Sequence, residues 1–118
     1  MDTKKAILVY QCSEQIKSEL IIASGLMATM AELEGDELVG ARKVVISFLA
    51  ALLGEIRMAQ NIERSVNFIG AEKKVAEAVG LLTLLEYSRI EKCISEALSF
   101  TTTSCQGAVT VLIEHGLI

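Results

Sequence analysis

With 11 lysines and arginines against 15 aspartates and glutamates, the 118-residue chain carries a net charge of −4, and its cations are interspersed with Glu rather than gathered into a face that could neutralise phosphates. Nucleic-acid binding is therefore not expected. A chain of this length should form one domain, residues 1–118, burying roughly two-thirds of its unfolded surface.

The apolar share of 52% and the mean hydropathy of +0.47 are high for such a domain, so some further surface must cover apolar side chains. A membrane would need about 18 consecutive apolar residues, whereas the runs Leu20–Ala31 and Val44–Gly54 are shorter and bounded by charges. Lys4 and Lys5 precede only the brief run Ala6–Tyr10, too short for a signal-peptide core, so the chain reads as intracellular and cytoplasmic, with no membrane partner. A subunit interface is the preferred cover. Three cysteines, Cys12, Cys93 and Cys105, show no CxxC spacing and read as small buried hydrophobes rather than disulfide or zinc ligands.

Absence of proline and abundance of Ala, Leu, Glu and Ile make helix the default. In the first helix Cys12, Ile16, Ala23, Leu26, Met30 and Leu33 fall on one face, and Glu34-Gly35-Asp36 ends it, with Gly35 left-handed and Asp36 capping the next helix. The second is expected from about Asp36 to Asn67, with Val45, Phe48, Leu52, Ala59, Ile62 and Val66 inward. A third should start after Gly70 and carry Val75, Val79, Leu82, Ile90, Cys93, Ala97 and Phe100. A short last helix is signalled by Thr103 and Gln106 at capping-box spacing and by Gly116 as stop, with His115 in its final turn.

The expected fold is all-α: an antiparallel helical bundle of three long helices plus one short C-terminal helix. The alternative is α+β, with short strands near residues 6–10 and 108–113, because periodicity cannot separate buried strand from buried helix at that length.

Two carboxylates interrupt the apolar stripes. Glu55 and Glu86 each fall where a core residue is due, near mid-helix, and in an antiparallel hairpin mid-height faces mid-height. Glu19, between Ile16 and Ala23, is placed similarly. Carboxylates converging in a bundle core hold di-iron centres, but those also need Glu-x-x-His, and Glu86-x-x-Arg89 puts a cation there instead. No transition-metal site is expected, though oxygen ligands alone would suit a hard divalent cation. The plainer reading pairs Glu55 and Glu86 with Arg57 or Arg89. A second polar group, Arg57, Gln60, Asn61 and Arg64, shares one helix face and could grip a phosphate or lie solvated. Cys105, placed near a helix start, is the most plausible reactive thiol, without a histidine base to make it a nucleophile. No glycine-rich phosphate loop occurs.

The reading that follows is a small helical-bundle protein that self-associates, with a dimer favoured, and binds a protein partner or scaffolds. The alternative is a small-ligand or divalent-metal-binding bundle, with or without enzymatic activity, whose polar core site comprises Glu55, Glu86, Arg57 and Arg89. Neither reading specifies a cofactor.

Overall fold

The computed structural model describes residues 1–118 as four helices and no strand: α1 (Thr3–Met30), α2 (Gly35–Ile62), α3 (Val66–Leu81) and α4 (Tyr87–Glu114). Segments 6–10 and 108–113 lie inside α1 and α4, so the all-α reading holds and the α+β alternative does not. Each helix packs against two neighbours, α1 on α2 and α4, α3 on α2 and α4, while the backbones of the diagonal pairs stay more than 8 Å apart. The chain thus runs up, down, up and down around one core.

The core follows from helical spacing. On α1, Ala6, Val9, Ser13, Ile16, Leu20, Ala23, Met27 and Met30 alternate steps of three and four residues, and all are buried. Val45, Leu49, Leu52, Ile56 and Ala59 do the same on α2. This is the knobs-into-holes spacing of coiled-coil seams. Phe68 of α3 is the largest fully buried side chain, and it sits beneath the Ser65 cap, whose hydroxyl accepts from the Phe68 amide at 3.2 Å. At the other end of the chain, Asp2 caps α1 by accepting from the Lys5 amide at 2.8 Å.

Gly116 takes positive φ, 68°, as expected of a helix stop, whereas Gly35, at φ 63°, opens α2 rather than ending α1, which already stops at Met30 with Ala31 as its cap. After Gly116 the Leu117 amide returns to the Leu112 carbonyl at 2.8 Å and the Gly116 amide to Ile113 at 3.0 Å, a Schellman closure. Asp36 does not cap α2; it lies in the first turn with Glu37, where negative charge suits the helix dipole.

The short helix is the third rather than the C-terminal one. The segment expected to run unbroken from Gly70 to Phe100 breaks at Leu82–Glu86, and the following helix passes straight through Thr103–Gln106. The hydrogen bonds describe the break: Thr83 Oγ1 donates to the Gly80 carbonyl at 2.9 Å, and the Leu84 amide, which a continuing helix would aim at Gly80, turns to Leu81 at 3.0 Å. Leu85 then takes φ 53°, redirecting the chain. Within α4, Thr101 and Thr103 donate to the carbonyls of Ala97 and Ser99 at 2.8 and 3.0 Å, which satisfies their hydroxyls inside the helix instead of at a cap.

These boundaries shape the outside of the molecule. A 28-residue helix is about 42 Å long and a 16-residue helix about 24 Å. Gln60 and Arg57 of α2 both reach Glu72, which sets α3 against the C-terminal half of α2. The N-terminal half of α2 is correspondingly less covered, with Val39 and Val44 exposed.

Candidate functional site

The polar residues singled out from sequence occupy three separate places. Glu86 is not mid-helix: the break places it at the N-cap position of α4, half exposed, where its carboxylate accepts from Arg89 Nη1 at 2.8 Å. That is a surface pair between residues three apart, worth at most about 1 kcal/mol. Arg57 points to the opposite side of α2 from Glu55, reaching Glu72 of α3 at 3.8 Å, while Gln60 donates to the same carboxylate at 2.6 Å. Asn61 and Arg64 complete this depression, so the donor set that could have gripped a phosphate already encloses an internal carboxylate, Glu72. Glu55 and Glu86 therefore share no partner.

Glu55 alone joins a polar cluster across a helix seam. Its stripe neighbours Leu52, Ile56 and Ala59 are buried, which carries Glu55 to the edge of the core facing α1. There Gln15 Nε2 lies 3.4 Å from both Glu55 Oε1 and Glu19 Oε1, bridging the two carboxyl groups. Glu55 Oε2 is inaccessible to solvent and has no donor facing it. No lysine or arginine forms an ion pair with either acid. The hydrogen bond to Glu19, then burial, then the repulsion of Glu19's charge push the Glu55 carboxyl up to about 7.

Cys12, Gln15, Ile16, Glu55 and Met58 line a pocket of about 170 Å³ beside this cluster. Burial, and then the Glu55 charge, raise the Cys12 thiol above its ordinary value. The volume is below the roughly 300 Å³ at which small-molecule sites begin. No group of three or more His, Cys, Asp or Glu side chains is arranged to hold a metal ion. What the arrangement does is bring two carboxyl groups to one amide donor with no cation beside them.

Cys105 also departs from expectation. It sits in the middle of α4, buried, with its thiol donating to Glu14 Oε1 at 3.1 Å. Burial first, and that hydrogen bond second, push the thiol up to about 11, so helix-dipole activation does not apply. Gln15 was the functional neighbour that sequence reasoning missed; its place four residues before Glu19 on one helix was the available signal.

No helix is long and apolar enough to cross a membrane. Comparison of the chain with protein-family models, with curated proteins and with solved structures finds no match.

Proposed function

We propose that this helical bundle self-associates as a symmetric dimer and acts as a partner-binding or scaffolding module. The observation that carries the reading is an outer face shared by α1 and α2 that is uncharged along 20–31 and 44–54 and meets Glu19 and Glu55 only beyond those segments. Between Leu20 and Ala31, and between Val44 and Gly54, no residue is charged. Ser18, Ile22, Gly25 and Thr29 of α1 are exposed, as are Val44, Ser47, Ala51 and Met58 of α2. The Gln15–Glu55 contact and the pocket shared by Cys12 and Met58 put these two faces side by side.

Ile22, Val44 and Met58 are 51%, 65% and 67% exposed, which leaves these large apolar side chains of the face mostly in water. Small residues between them let a facing helix approach closely, so that many weak dispersion contacts add up. The stretch from Leu8 to Thr29 on α1 is about 30 Å long, and two adjacent helices are about 20 Å wide, giving a face on the order of 600 Å² before its relief is counted. A standard interface takes about 800 Å² from each partner. The uncharged stretch of this surface has no sign to complement and matches a second copy of itself across a two-fold axis.

Placing like charges at the centre of such an interface tests the reading. Ala51→Glu is expected to convert the dimer to monomer in sedimentation equilibrium with unchanged helix content, and Ala76→Glu, on the exposed face of α3, is expected to leave the dimer intact. Equal masses for both variants and the parent chain would exclude this face.

A further inference from the structure

We propose that Glu19 and Glu55 form a proton-operated latch across the α1–α2 seam: one proton shared between the two carboxyl groups ties the helices together, and its release loosens them. The latch lies on the α1–α2 face given above to the dimer, but it needs groups of one chain only and would operate in a monomer.

The geometry carries the argument. Gln15 has one amide nitrogen within 3.4 Å of both acids and can satisfy one oxygen of each, leaving the buried Glu55 Oε2 without a donor if both acids are ionised. A proton on Glu55 supplies that donor, as a carboxyl O–H aimed at the Glu19 carboxylate; its loss leaves two like charges facing across a seam. Nothing nearby offsets them. From α1 the ionisable groups facing Glu55 are Glu19 and Cys12, the second a neutral thiol. On α2 the nearest cation, Arg57, is engaged by Glu72. On α3, the other neighbour of α2, Glu72 meets Arg57 and Gln60, and Lys74 meets Glu77 and Glu96. The fourth helix lies diagonal to α2, with no Cα of one within 8 Å of a Cα of the other.

The sign follows from linkage. The folded Glu55 holds its proton to about pH 7, above its ordinary value of 4.5, so the folded state binds more protons than the unfolded state between these limits. The contribution is complete below about pH 4.5 and is lost as pH rises through about 7.

The experiment measures thermal unfolding of the parent chain and of Glu55→Gln from pH 5 to 8.5, alongside carbon-detected NMR titration of the Glu side-chain carboxyls. The melting temperature of Glu55→Gln minus that of the parent is expected to grow by on the order of 5 °C across the range. One Glu carboxyl in the parent should titrate near pH 7, and Glu19→Gln should lower its midpoint. A constant difference in melting temperature, or every Glu titrating below about pH 5.5, would overturn the latch. The titration of the parent chain decides the matter even if Glu55→Gln does not fold.

Discussion

Gly70 is where the Phe100 ring of α4 packs directly onto the backbone of α3. A Cβ built there would lie 2.7 Å from Phe100 Cζ and 2.8 Å from Cε1 and Cε2, so the ring tip of Phe100 occupies the space a Cβ would fill. Carbon atoms in contact sit at about 3.5–4.0 Å, so Gly70→Ala requires the ring to withdraw by about 1 Å. Two opposing terms set the result. Alanine in a helix interior is favoured over glycine by about 0.8–1.0 kcal/mol. Overpacking a fitted contact costs about 1–3 kcal/mol. Phe100 is half-buried with a depression on either side, one including Asn67 and Thr103 and the other Val66 and Lys73, so the ring has room to give and the cost falls mid-range. Gly70→Ala is therefore expected to destabilise by about 1 kcal/mol net. In a Phe100→Leu background the atoms that clash are gone, and the same substitution should stabilise by about 1 kcal/mol. Urea unfolding of the four proteins, followed by circular dichroism, gives the coupling energy, expected at about 2 kcal/mol. Additivity within about 0.5 kcal/mol would refute the close approach as the reason for glycine at this position.

Two further predictions rest on buried polar atoms. Ser13 is fully buried on α1 and its hydroxyl has no partner, so Ser13→Ala should stabilise by about 1 kcal/mol, read as a higher urea midpoint at unchanged slope. In the native protein at pH 8, Cys12 should be the first thiol modified by an aromatic disulfide reagent, because it lines a pocket while Cys93 and Cys105 are buried. Peptide mapping after partial modification checks the order; early labelling of Cys105 would contradict its bond to Glu14.

The core was largely legible in the sequence because spacing on a helix is local geometry. Ile16, Ala23 and Met30 of the first expected stripe, and Val45, Leu52 and Ala59 of the second, are buried as their spacing implied. Cys12, Leu26, Phe48 and Ile62 are half-buried at the edges of the same seams. Val66 is the exception: the second helix stops at Ile62, and Val66 becomes an exposed first residue of α3.

The helix break at Leu82–Glu86 was not legible. No proline marks it, and what accompanies it is a tightened turn at Leu84 and a leucine at φ 53°, neither of which has a signature in the local pattern. The antiparallel packing of α3 on α4 that the break permits is a long-range gain, invisible to a local pattern. The candidate site shifted with that boundary. Glu86 moved from a supposed mid-helix position to a connection, and with it went the facing pair of Glu55 and Glu86. Glu55 needed no boundary beyond its own helix and kept its place at the core edge, where its partner proved to be Glu19. Cys105 moved from helix start to helix middle for the same reason, since the Thr101 and Thr103 hydroxyls bond inside α4.

Self-association is tested most directly by the mass of the unmodified chain in solution across a concentration series. Sedimentation equilibrium from about 1 to 100 μM, spanning the micromolar affinity of a modest interface, should show the 12.7 kDa chain shifting to twice that mass. A mass of 12.7 kDa at every concentration would contradict it and leave the outer face of α1 and α2 open to a different protein.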